Sequence, residues 1–256
     1  MKILEWKDLL NGTITENRGI ALSIGVFDGV HRGHRSLIDQ ICQKAPLKPW
    51  VITFHPNPAR VLRTHQYPGD IMTKNQKIEA FSALGIDTTV MIDFSWDFGK
   101  LKGTEFLSVI QKALDVQFIA VGENFHCGYN MDTSAFRMKE LLEPKGIQIQ
   151  ILPSVRRGGE VVSSTRIRNA IWEGDLSKAI DLLGHPFELD LIGLPIYTEE
   201  GRSLLYRREV TQVLPRFGTF SVQYKENNTL QKGIIEISEE YVSWQANGSM
   251  EAIIFS

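Results

Sequence analysis

The stretch Ser23-Ile24-Gly25-Val26-Phe27-Asp28-Gly29-Val30-His31-Arg32-Gly33-His34 sets three glycines and two histidines between an apolar run and an amphipathic one. Residues 20–26 read as a buried strand, and Leu37, Ile38 and Ile41 fall at helical spacing within 36–42, so the stretch occupies a strand-to-helix turn. In α/β proteins such a turn receives phosphates. Glycine lets the backbone approach an anion, the first helical N–H groups point outward, and the helix dipole adds about half a positive charge. His31 and His34 stand three apart on one face of the first turn. The plain alternative is a pair of helix-start histidines satisfied by backbone carbonyls, while Asp28 either caps the helix or contacts a nucleotide.

A chain of 256 residues holds one large domain, or one medium domain with a small companion, and 43% apolar and 23% charged residues allow a sizeable core. The net charge of −2 lays down no electrostatic footprint for nucleic acid. Cys42 and Cys127 are too few for a disulfide framework or a cysteine-rich zinc site; both are expected to be free thiols in a reducing cytoplasm. No apolar run approaches the roughly 18 residues of a membrane helix, and Glu5, Lys7 and Asp8 break any signal-peptide pattern. A cytoplasmic protein with small-molecule partners, no nucleic acid and no membrane is expected.

Residues 50–54 predict a second strand that runs into Thr53-Phe54-His55-Pro56-Asn57-Pro58, where two prolines enforce a stiff extended turn. A helix over 73–84 carries Thr73 and Gln76 as a capping box and Gly85 at its end. Strands at 88–92, 118–121 and 148–152 alternate with helices at 103–114 and 132–142, which argues for a parallel sheet covered on both faces. The loop Gly122-Glu123-Asn124-Phe125-His126-Cys127-Gly128-Tyr129 follows the fourth strand, at an edge where such sheets bind ligands. Adjacent residues such as His126 and Cys127 do not make a metal site by themselves.

Farther on, Val162-Ser163-Ser164-Thr165-Arg166-Ile167-Arg168 opens another helix. It is either an ordinary cap with two solvated arginines or a phosphate site in which hydroxyls, free N–H groups and one arginine act together. Arg166 and Arg168 are two apart and leave a helix in different directions. Asp175 caps a last helix to Leu183, closed by Gly184. Beyond it, β-type runs at 189–196, 204–213, 217–224, 233–237, 241–244 and 252–255 form a small all-β module.

His31-Arg32-Gly33-His34 resembles the His-x-Gly-His signature of the nucleotidylyltransferase superfamily, in which it lies under the α- and β-phosphates of ATP. With Gly25-Val26-Phe27-Asp28-Gly29 ahead of it, the stretch resembles bacterial FAD synthetase more specifically. Class I aminoacyl-tRNA synthetases carry a related pattern. They pair it with a lysine-rich loop, whereas Ser163 to Arg168 resembles the Ser-Ser-Thr-x-x-Arg motif of nucleotidylyltransferases.

The resemblance implies a Rossmann-like, doubly wound α/β domain over 1–185 and a small barrel-like β domain over 186–256. It implies transfer of AMP from ATP to FMN, giving FAD and pyrophosphate, with Mg²⁺ accompanying ATP on unassigned ligands. Gly25, Phe27, Asp28, Gly29 and Gly33 would meet ATP, with His31 and His34 donating to phosphate oxygens. Ser163, Ser164 and Thr165 would position the β- and γ-phosphates, Arg168 would hold pyrophosphate, and Arg166 would lie on the surface. Phe54, Pro56 and Asn57, with Asn124 and Phe125, would border FMN. The flavin loop departs from the family pattern at Cys127, which replaces an aromatic, and at 130–132, which lack a basic residue and a glycine.

Leu183-Gly184-His185-Pro186-Phe187 resembles the link into the riboflavin kinase barrel of bifunctional members, and Leu214 to Phe220 resembles one of its strands. Kinases carry Gly-[Phe/Tyr]-Pro-Thr-Ala-Asn, whereas this chain has Gly193-Leu194-Pro195-Ile196-Tyr197-Thr198. That departure, the absence of a terminal helix and the shortness of 186–256 lead to the expectation of a degenerate barrel without riboflavin kinase activity. The alternative functions are nucleotidyl transfer to another phosphorylated metabolite and non-catalytic binding of a flavin nucleotide.

Overall fold

The computed structural model describes residues 1–12, 14, 19–227, 229–245 and 250–255. By contacts the chain forms two compact units, Met1–Tyr67 with Ile78–Val161, and Pro68–Lys77 with Val162–Ser256.

The first unit is built on six parallel strands: β1 (Lys2–Glu5), β2 (Ile20–Ile24), β3 (Lys48–His55), β4 (Thr88–Asp93), β5 (Val116–Gly122) and β6 (Gln148–Leu152). They lie in the order β1-β4-β3-β2-β5-β6. Every residue of β2 is buried, as befits a central strand covered on both faces. Its Ile20, Leu22 and Ile24 pack with Trp50, Ile52 and Ile119. The one hydroxyl in the strand, Ser23, donates to the Ala120 carbonyl at 2.8 Å, which satisfies it in the core. From β2 the chain turns through helix α2 (Arg32–Cys42) to β3 on one side, while β5 lies on the other. The loops after β2 and β5 therefore leave the same sheet edge at a topological switch point, where a crevice opens.

Several expected elements differ in extent. The sixth strand, β1, carries one buried residue in four and shows no periodicity to read. The helix expected from residue 132 is Ala135–Leu142. Ser134 caps it, and Thr133–Ser134 pair with His126–Cys127 instead of joining the helix.

In the second unit, α7 (Ser164–Glu173) and α8 (Leu176–Leu183) precede seven antiparallel strands. These are β7 (Phe187–Asp190), β8 (Tyr197–Glu199), β9 (Arg202–Tyr206), β10 (Gly218–Glu226), β11 (Thr229–Ile237), β12 (Tyr241–Trp244) and β13 (Ala252–Phe255). Their order, β7-β13-β10-β11-β12-β9-β8, makes an open, curled half-barrel. Leu189, Leu205, Ile235, Val242, Trp244 and Ile253 are buried here. The run expected as a strand over 189–196 is cut short at Asp190, because Gly193 takes a left-handed φ of 78° and Pro195 has no N–H for a ladder. The run over 204–213 ends at Tyr206, where Arg207–Glu209 form a 3₁₀ turn.

Candidate active site

The loop after β2 is tightly constrained. Gly25 N–H donates to the Ile52 carbonyl at 3.1 Å, and Thr53 Oγ1 donates to the Val26 carbonyl at 3.0 Å. Phe27, Gly29 and Val30 then take positive φ values of 51°, 82° and 34°. For a β-branched residue this costs on the order of 1–3 kcal/mol. Complete burial of Val30, its N–H bond to the Phe27 carbonyl at 3.2 Å and Arg35 Nε on its own carbonyl at 3.4 Å hold it there.

His31, extended at the helix start, is the N-cap of α2: its Nδ1 accepts from the His34 N–H at 3.3 Å. A ring that accepts at Nδ1 carries its proton on Nε2, which makes Nε2 a donor. The two imidazoles stack with centroids 3.5 Å apart and planes 14° from parallel. A Cβ at Gly33, between the two in sequence, would come to 3.2 Å from the His31 ring.

Phe27 is wholly buried, its ring edge-on to His34 at 5.2 Å and to Phe81 at 5.6 Å. It backs the His34 ring. Asp28 is buried as well and accepts from Asn57 Nδ2 at 3.4 Å. The idea that Asp28 caps the helix is corrected by His31, which does so.

The turn after β3 meets this loop through the same asparagine. Asn57 Oδ1 accepts from Ala59 N–H at 3.0 Å and so caps the short helix α3 (Pro58–Leu62), while its amide nitrogen reaches Asp28. Pro56 is half-buried in this turn. Phe54, also half-buried, faces Phe94 and Phe98 at 6.0 and 6.2 Å.

The loop after β5 is pinned to the end of β6. Ser154 N–H donates to Glu123 Oε1 at 2.9 Å, and Asn124 Nδ2 donates to Ser154 Oγ at 3.0 Å. The bond from Ser154 holds the Glu123 carboxyl below the usual carboxylate range. Asn124 is exposed, whereas Phe125 turns inward against the core. Cys127 also packs on the core; burial, with the Asp132 charge adding to it, pushes its thiol up to about 12. His126 Nδ1 lies 3.0 Å from the Asn124 carbonyl oxygen. Asp132 Oδ1 accepts from Gly103 N–H at 3.0 Å and from Thr133 Oγ1 at 2.8 Å, tying the far end of the loop to helix α5 (Gly103–Ala113). Among the described residues, no group of three or more His, Cys, Asp or Glu side chains is placed to hold a metal ion.

In the second unit, Ser163 caps α7, its Oγ accepting from Arg166 N–H at 3.4 Å. Ser164 is half-buried and Thr165 exposed. Arg168 Nε donates to the Gly69 carbonyl at 2.9 Å. Arg166 is half-buried, as is Arg168.

The structure thus brings together His31, His34, Phe27, Gly33, Asp28 and Asn57, and puts Asn124 and Phe125 on the neighbouring loop of the switch point. Sequence reasoning passed over Thr53, Ser154 and Gly69. Thr53 stood inside a quoted motif, whereas Ser154 and Gly69 carried no local signal.

A profile of the FAD synthetase family matches residues 13–166. The bifunctional riboflavin kinase/FMN adenylyltransferase of Escherichia coli K12 is 31% identical over 207 residues, 76% of this chain and 66% of that protein. Its counterpart in Listeria monocytogenes is 28% identical over 243 residues, 91% and 74% of the two chains. The match therefore spans just under two thirds of the Escherichia coli relative. A crystal structure from Streptococcus pneumoniae, described as a macrolide-efflux protein, shares the fold with a TM-score of 0.84 at 20% identity, over 100% of this chain and 90% of that one. Because the profile runs through the loops after β2, β3 and β5 and covers more than half of the sequence, this chain belongs to the FAD synthetase family.

Proposed function

We propose that the protein transfers AMP from ATP to FMN, forming FAD and releasing pyrophosphate. The observation that carries this reading is the stacked His31–His34 pair, set at a helix start on the switch-point edge of a parallel sheet. An oxygen of the FMN phosphate attacks the α-phosphorus of ATP. One P–O bond forms, the bond from the α-phosphorus to the bridging oxygen breaks, and the electron pair departs with pyrophosphate. The nucleophile is already ionised, so the protein needs no strong base. Its work is alignment and stabilisation of charge on the phosphoryl oxygens.

His31 Nε2–H and His34 are assigned as donors to the phosphates, with Gly25, Gly29 and Gly33 allowing close approach. Phe27 and Asp28 act from beneath, one behind His34 and the other on Asn57. Ser163, Ser164 and Thr165 are assigned to the β- and γ-phosphates and Arg168 to the departing pyrophosphate. Phe54, Pro56, Asn57, Asn124 and Phe125 are assigned to the flavin side. Mg²⁺, a hard cation that prefers oxygen ligands, enters with ATP on the phosphate oxygens. The unbridged thiols of Cys42 and Cys127 support a cytoplasmic setting. Riboflavin kinase activity is proposed to be absent, since residues 193–198 lack the Thr-Ala-Asn of the kinase stretch.

The test is incubation with ATP, Mg²⁺ and FMN, followed by chromatography for FAD and an assay for pyrophosphate. Equal amounts of the two products are expected. FMN that binds without turnover would overturn the catalytic reading. Formation of FMN from riboflavin and ATP would overturn the statement about the kinase.

A further inference from the structure

Residues Pro68–Lys77 belong by contacts to the second unit. Their anchor there is Gln212, which is only 4% exposed. Gln212 Nε2 donates to the Ile71 carbonyl at 3.0 Å and to the Glu188 carbonyl at 2.8 Å, while its Oε1 accepts from Asp190 N–H at 2.8 Å. The Asp70 carbonyl accepts from Val213 N–H at 2.8 Å beside it.

The two backbones press together at Gly69. Its φ is 126°, and a Cβ there would lie 2.5 Å from the Val213 nitrogen and 2.7 Å from the Gln212 carbonyl carbon, so only glycine fits. The carbonyl of this same glycine accepts from Arg168 Nε at 2.9 Å. Nε lies in the rigid plane of the guanidinium, and fixing it fixes the direction of the remaining N–H groups.

We propose that Gln212 is a positioning residue for adenylyl transfer: it seats residues 69–71 so that the Gly69 carbonyl orients Arg168. The inference rests on the reading of Arg168 as the phosphate arginine. Gln212, Gly69 and Arg168 all lie within the second unit, and Gln212 itself meets no substrate. A buried glutamine that merely stabilises its surroundings would affect the enzyme independently of Arg168, and that difference is measurable.

In the full-length protein, assayed with Mg-ATP and FMN, Gln212→Met keeps the side-chain length and removes the polar atoms. It is expected to lower kcat by roughly tenfold or more while leaving KM for FMN within about twofold. In an Arg168→Ala background the same substitution is expected to cost nothing further. If Gln212→Met does not fold, Gln212→Glu, which keeps the acceptor for Asp190 N–H but loses the amide donor to the Ile71 carbonyl, is put through the same cycle. Arg168→Ala that reduces the rate, combined with an undiminished Gln212→Met loss in both backgrounds, sinks this proposal alone. Arg168→Ala that leaves the rate unchanged sinks the assignment of Arg168 and the proposal with it.

Discussion

His31 Nδ1 closes the first turn of α2, and its Nε2–H is the proposed phosphate donor. Replacement by alanine is expected to lower FAD formation by about 10² and helix stability by about 1 kcal/mol. His31→Asp separates the tasks, since a carboxylate oxygen still caps but has no proton to donate: the melting temperature should recover while the rate stays low. Recovery of both in thermal denaturation and FAD assays would count against a donor role for the imidazole. Cys127 carries a second residue-scale prediction. Its thiol is pushed up to about 12, so iodoacetamide at pH 7–8 should leave it unmodified in the folded protein. A raised value means the contribution to stability is complete below the unfolded value near 9 and is lost as pH rises through the folded one. Denaturant midpoints should fall across that alkaline window, and less so in Cys127→Ala. His31 and Arg168 were legible as candidates because their side chains announce phosphate chemistry at any distance. Ser154 and Gln212 were not, since each acquires its meaning from a partner 31 or 141 residues away.

Elements were read well where their ends are chemically marked. Thr73 and Gln76 exchange bonds at 3.0 and 3.3 Å ahead of Lys74–Ala83, and Asp175 and Gly184 bracket α8 as their types demand. The parallel strands were legible because burial on both faces writes an unbroken apolar run. The β-module was read less closely. Val213 and Leu214 are buried without belonging to a strand, so apolar character continues past the turn that ends β9. The cap of α7 gives a test at this scale. Ser163→Ala removes the acceptor for Arg166 N–H and is expected to cost about 1 kcal/mol in denaturant titration, with Ser163→Asp restoring most of it. An unchanged midpoint in Ser163→Ala would show that the cap carries no weight there.

At the level of the whole molecule, the polypeptide leaves its first unit after Tyr67, returns at Ile78 and leaves again after Val161. No local pattern betrays such threading, because residues 68–77 look like any loop leading into a helix. A fragment ending at His185 retains Gly69 and Arg168 but lacks Gln212, Val213 and the Glu188 carbonyl that seat the excursion. Limited proteolysis should cut that fragment early within 68–77 and spare the same stretch in the full chain. Equal cleavage of the two would contradict the anchoring role of β7 to β13.

The threading also sets a clock. Gln212 is made 141 residues after Ile71. At about 5–20 residues per second the ribosome needs roughly 7–28 s to deliver the partner. For that interval residues 69–71 lack the amide that seats them. On the proposed role of Gln212, adenylyl transfer waits for that delivery.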